Sequence, residues 1–255
     1  MDDPSTSPGQ DYKPIAIIAV ALVAIIGGGL WWFSRSAAPA NTTPQAVAAT
    51  DAPIDSGSAA PPVVLPPLDQ MDAFLRPLLQ ALSNRPELAQ WLATDDLVRQ
   101  LAMAIDQAAA GDSPARDFKV VKPAGTFAAS RRGVRSTIDP ASYTRYDGLV
   151  ETVTSVDAAK AAGIYKTIRP RLNEAYQQAG NPGGNVEAAV IKTLDLLLDT
   201  PVVKDPVAIV ESGGAWAFDD DELEALLPVQ KQLLRMGPAN VERMLAWLRA
   251  FREAI

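Results

Sequence analysis

The run Ile15–Phe33 (IAIIAVALVAIIGGGLWWF) is nineteen consecutive residues without a charged side chain. A helix of that length rises about 28 Å at about 1.5 Å per residue, close to the hydrocarbon thickness of a bilayer. Trp31, Trp32 and Phe33 close the run, and such rings favour the headgroup interface. The expectation is one transmembrane helix over 15–33, preceded by a short tail, 1–14. A cleaved signal peptide is the competing reading, but it calls for a basic leader and a small-x-small cleavage site. Here Asp2, Asp3 and Asp11 stand against Lys13 alone, and the candidate site Ala38-Pro39-Ala40 carries a central proline. An uncleaved anchor fits better.

Residues 34–67 are rich in Ala, Pro, Ser and Thr, with the pairs Pro61-Pro62 and Pro66-Pro67. That composition cannot build a core and predicts a disordered linker that could hold a domain up to about 100 Å from the anchor. Lys13 and Arg35 flank the apolar run one against one, so the charge rule for orientation hardly discriminates. Spacers of this kind commonly join an anchor to an extracytoplasmic domain, which favours the C-terminal part lying outside. Ala24 and Gly28 form a small-xxx-small pair, a candidate dimer face within the membrane. The plainer explanation is that Gly and Ala are frequent in membrane helices.

The chain has no cysteine and no histidine. Disulfides, thiol nucleophiles, Ser-His-Asp triads and His-ligated zinc are therefore excluded. The net charge of −7 argues against a dedicated nucleic-acid binder. No phosphate-cradling GxxxxGK[ST], GxGxxG or SxxK occurs, and no cofactor is expected.

From Leu68 onward the apolar spacing is helical, predicting a compact, mainly α domain over 68–255. Leu97, Leu101, Ile105 and Ala108 recur every three or four residues and stop at Gly111. Asp139-Pro140 reads as a helix start running through Tyr146 and Leu149. Ser155 or Asp157 caps a longer helix, with a kink expected at Pro170 and an end at Gly180. Val186, Val190, Leu194 and Leu197 make a further stripe, and Gly237-Pro238 joins two C-terminal helices. Val207–Val210 and Ala215–Phe218 around Ser212-Gly213-Gly214 predict one small β-hairpin. Residues 111–137 show no helical period and read as a long irregular connection.

Three features carry candidate chemistry. Arg131, Arg132 and Arg135 belong to a basic stretch that could hold an anionic lipid headgroup, an envelope polymer or an acidic protein surface, unless acids within the domain pair with it. Arg145 with Tyr146 could line a groove, against simple helix packing with a snorkelling arginine. Asp219, Asp221 and Glu224 sit in the densest carboxylate cluster. Such groups could serve an acid/base enzyme, but the cluster opens a helix, where negative charge is favoured in any case. It lacks the spacing of a calcium loop, so no metal is expected.

Several segments together resemble a known family. They are Trp91-Leu92 to Gly111, Arg145-Tyr146-Asp147, Ile164-Tyr165 to Pro170, Glu174-Ala175-Tyr176, Leu196-Leu197 with Thr200-Pro201, and Asp221 to Glu224 followed by Leu234 to Pro238. In that order the chain is similar, from about Leu68 onward, to the bacterial domain-of-unknown-function family numbered 3014. Members of that family commonly have an N-terminal membrane helix, a Pro/Ala-rich spacer and one helical domain. The family pattern has Gly-Gln-Lys where this chain has Val229-Gln230-Lys231. The resemblance implies an architecture and no activity. The combined expectation is a single-pass protein of the bacterial inner membrane, with a periplasmic helical module that binds a protein or an anionic envelope component. A carboxylate-dependent enzyme acting on an envelope polymer is the alternative.

Overall fold

The computed structural model describes residues 64–114, 125–204 and 206–255. The expected anchor at 15–33 and almost all of the expected linker lie outside the described residues. Among the described residues, no helix is long and apolar enough to cross a membrane.

A short 3-10 turn, Leu68–Gln70, leads into α1 (Met71–Gln80), α2 (Pro86–Trp91) and α3 (Leu97–Ala109). Helix α1 organises the entry to α3. The Asp72 carboxylate accepts from the amides of Asp96 and Leu97 at 2.7 and 2.9 Å, and Asp96 takes a left-handed φ of 57° to make the corner. The Arg76 guanidinium donates to the carbonyls of Leu92 and Thr94, both at 2.8 Å, which satisfies acceptors that would otherwise face water.

After β1 (Ala129–Arg132) and β2 (Arg135–Ile138) come α4 (Ala141–Thr144), α5 (Asp147–Thr154), α6 (Ala158–Gln178) and α7 (Val186–Leu198). Asp157 caps α6 by accepting from the Lys160 amide, and Asn185 caps α7 by accepting from Glu187 and Ala188. Helix α6 continues past Pro170. The expected single helix after Asp139-Pro140 is two, α4 and α5, broken at Arg145-Tyr146. The chain ends with β3 (Ala208–Ser212), β4 (Ala215–Phe218), α8 (Asp221–Glu224), α9 (Pro228–Leu234) and α10 (Pro238–Ala254).

Helices α3, α6, α7 and α10 enclose the main core, in which Leu75, Leu101, Ile105, Ile168, Leu172, Leu248 and Phe251 are all but completely buried. The Trp247 indole stacks on Phe251 at 5.3 Å between centroids and donates to the Val156 carbonyl at 2.7 Å. The ring is thereby apolar in packing and polar only where it ties α10 to the turn before α6.

The expected single hairpin is in fact half of a four-stranded antiparallel sheet, ordered β1-β2-β3-β4. Its first half falls in the stretch expected to be an irregular connection. Gly133, with φ 63°, is the first central residue of the β1–β2 turn, as a type II′ turn requires. Gly213 and Gly214, with φ 58° and 80°, supply the two positive angles of a type I′ turn between β3 and β4. Ser136 and Thr137 then pair with Ile209 and Ala208 to join the hairpins. One sheet face closes over a second, smaller cluster of Ile138, Val207, Ile209, Phe218 and Leu234.

The joint between α9 and α10 allows little variation. Gly237 has φ 81° and ψ 160°, and a Cβ there would lie 2.4 Å from the Tyr143 ring. Gly237→Ala therefore meets both a glycine-only backbone region and a steric overlap. It is expected to lower unfolding stability by at least about 2 kcal/mol, read as a reduced midpoint in urea denaturation. A change within error would show that Tyr143 swings aside freely.

Candidate functional site: a basic hairpin on a sealed sheet

Cross-strand pairing sets the position of each arginine. Ala129 faces Ile138, Arg131 faces Ser136, and Arg132 directly faces Arg135. Because side chains alternate across a strand, Arg131 shares the face of Ala129 and Ile138, while Arg132 and Arg135 lie on the other. All three are exposed, as are Gly133 and Val134 in the turn. Six other arginines of the domain (Arg76, Arg85, Arg99, Arg169, Arg171 and Arg252) each reach a carboxylate. Among the described residues, Arg131, Arg132 and Arg135 have no carboxylate within ion-pair distance.

Below the turn the hairpin is fixed in place. The buried Ser142 hydroxyl accepts from the Ala128 amide at 2.7 Å and donates to the Ala128 carbonyl at 2.8 Å. Ser130 donates to the Asp139 carboxylate at 2.6 Å, and the Ala141 amide donates to its other oxygen. These two bonds hold the Asp139 carboxyl below its ordinary value, Ser130 contributing most.

At the opposite edge, β4 is closed by side chains. The Phe218 amide donates to Glu224 Oε2 at 2.9 Å, and Arg235 Nη2 donates to the Trp216 carbonyl at 3.2 Å. The Arg235 guanidinium lies over the Phe218 ring, 5.1 Å from its centroid. Lys231 Nζ donates to Glu224 Oε1 at 2.6 Å and to the Glu224 carbonyl at 2.9 Å. Burial raises the Glu224 carboxyl, but the bonds from Lys231 and the Phe218 amide outweigh it, and the net shift is downward.

This arrangement separates the candidate carboxylates. Glu224 is engaged in closing the sheet edge and pairing Lys231. Asp219 and Asp221 are exposed, and Asp220 caps α8 by accepting from the amides of Glu222 and Leu223. The cluster is thus built as a helix start, and among the described residues no group of acids is arranged to hold a metal ion.

Tyr146 does not belong to an exposed surface. It is 4% exposed, and its hydroxyl accepts from buried Gln232 at 3.1 Å. Burial raises its phenol above the ordinary value, against the opposing charges of Arg145 and Arg235. Arg145 lies over the same ring, 5.9 Å from the centroid. The reason Tyr146 turns inward is the break between α4 and α5, which places it opposite α9. Residues that the sequence reading passed over complete this joint. Asn240 donates to Asp147 Oδ1 at 2.8 Å and also reaches the carbonyls of Tyr143 and Met236. The signal for it was present in the pairing of Arg145-Tyr146-Asp147 with Arg235-Met236-Gly237-Pro238, two short segments that meet here.

An open groove elsewhere, about 360 Å³, lies at the start of α7 beside Arg169, Asn173, Asn185 and Glu187. Its charges already neutralise each other through the 2.7 Å Arg169–Glu187 pair.

The model of the family described as "Protein of unknown function (DUF3014)" matches residues 97–252, more than half of the chain. The chain belongs to that family. The match opens at the first residue of α3, so α1 and α2 lie outside it although Leu75, Leu79 and Leu88 are in the main core. Neither a curated protein nor a solved structure matches the chain.

The Glu224 shift has a direct consequence. A carboxyl lowered in the folded state contributes stability above its ordinary titration range and loses it as pH falls through the folded value. The parent chain should lose more stability between neutral and acidic pH than Glu224→Gln, which keeps an acceptor for the Phe218 amide. Equal losses in paired denaturation curves would contradict that role for the ion pair.

Proposed function

We propose that this chain is a single-pass membrane-anchored binding module. It presents the β1–β2 hairpin to a protein or an anionic component of the envelope, on the periplasmic face of a bacterial inner membrane. One observation carries the reading: three exposed arginines are grouped at one short turn without a carboxylate partner among the described residues, whereas six of the ten other described arginines reach a carboxylate. A group of like charges left uncompensated at a surface favours an oppositely charged partner.

The tether supports it. The Arg171 side chain of α6 donates to the carbonyls of Pro66 and Leu65 at 2.8 and 3.2 Å, so the chain is gripped by the domain from Leu65 onward. A spacer of the composition of residues 34–64 reaches roughly 30 Å if flexible and roughly 100 Å if extended. Tethering over that range raises the effective concentration of envelope partners, so a modest affinity suffices. The enzyme alternative gains nothing from the geometry, because Glu224 is occupied by Lys231 and the β4 edge.

Crosslinking in intact envelopes tests the proposal. The full chain should capture a partner that Arg131→Glu/Arg132→Glu captures at least about tenfold less, since reversal turns attraction into repulsion. Asp219→Asn/Asp221→Asn should capture as the parent does. Equal capture by the arginine variant, or loss in the carboxylate variant alone, would overturn it.

A further inference from the structure

We infer that the β1–β2 turn docks on acidic phospholipid headgroups of the membrane to which the chain is tethered. The inference rests on the membrane-anchored reading above and names the partner of its hairpin.

Arg132 and Arg135 are direct cross-strand neighbours, and like charges in that position disfavour the pairing. An anion between them removes the conflict, and a phosphate suits two guanidinium forks better than it suits any other cation. Arg131 lies on the opposite face of the same hairpin, so cations stand on both sides of the turn. Between them is Val134, an apolar side chain left 97% exposed. Val210, at 41%, continues the exposed apolar surface on the face of Arg132 and Arg135. Glu211, on the neighbouring hairpin, falls on the face of Arg131 and forms no ion pair with it among the described residues, so Arg132 and Arg135 face no carboxylate on their own side.

This geometry discriminates between partners. A peptide or polymer strand would be gripped from one face of the hairpin. A headgroup layer can surround the turn, placing phosphates against Arg131, Arg132 and Arg135 together and receiving Val134 among the uppermost acyl carbons. Basic residues near an acidic leaflet act in this additive, salt-sensitive way.

The absence of cysteine gives a clean test, because Val134→Cys introduces the one thiol of the chain. The full chain, labelled there with a polarity-sensitive dye, is reconstituted into vesicles of phosphatidylcholine alone or mixed with phosphatidylglycerol. Retention on neutral vesicles in high salt reports the anchor, and dye emission reports the turn. The expected result is retention on both compositions, with a blue shift on the acidic one. That shift reverses as salt shortens the screening length below about 10 Å. Adding Arg132→Glu/Arg135→Glu should abolish the shift and keep retention. Retention with identical emission on both lipids would overturn headgroup docking while leaving the anchored module standing. Loss of retention on neutral vesicles would remove the anchored reading and this inference with it. A shift appearing only when an envelope protein fraction is added would reassign the turn to a protein partner.

Discussion

The outer edge of β4 is the constraint on which the sheet half of this domain depends. An edge strand carries unpaired N–H and C=O groups that its own sheet cannot satisfy. Here Glu224 takes the Phe218 amide and Arg235 takes the Trp216 carbonyl, while Lys231 holds Glu224 in place. Each of these side chains comes from the segment that leads into α10. The same contacts that satisfy the edge therefore fasten the sheet to the bundle, and Arg235 adds the face of Phe218 beneath its guanidinium.

The two hydrophobic clusters divide the domain accordingly. The large one is built from the helices and the short turns between them, and the small one joins Ile138, Val207, Ile209 and Phe218 of the sheet region to Leu234 of α9. Local opening follows the boundaries of such packed units, so the sheet is expected to loosen as a unit while the bundle stays folded. The β1–β2 hairpin is held firmly at its base, where Ser142 clamps Ala128, and is free of packing at its turn.

Much of the bundle was legible in the sequence because its helices are amphipathic. The stripe from Leu97 to Ala108, the Asp157 cap, the stop at Gly180 and the Gly237-Pro238 joint each rest on local chemistry. The β3–β4 hairpin was legible through Gly213-Gly214 and its apolar flanks. Its partner was not. Of ASRRGVRSTI, only Ala129 and Ile138 contribute to the small core, so no alternation marks the strands, and their stability comes from pairing about seventy residues away. Pro170 lies inside α6, which runs on to Gln178. A proline in a helix removes one donor, yet the packing of α6 against α3, α7 and α10 keeps the helix continuous. Of the two expectations for Arg145 and Tyr146, the buried Tyr146 ring fits packing rather than a groove, and the α4–α5 break that turns it inward toward Gln232 has no local signal in the sequence. The basic cluster itself was visible as composition, whereas its freedom from internal partners could be read only from the folded arrangement.

Hydrogen exchange on the full chain, comparing the parent with Arg235→Ala, tests whether closure of the β4 edge holds the arginine hairpin in place. Amides of 129–138 and 208–218 are expected to lose protection together while α6 and α10 keep theirs. Unchanged protection in the sheet, or equal loss throughout the domain, would contradict it.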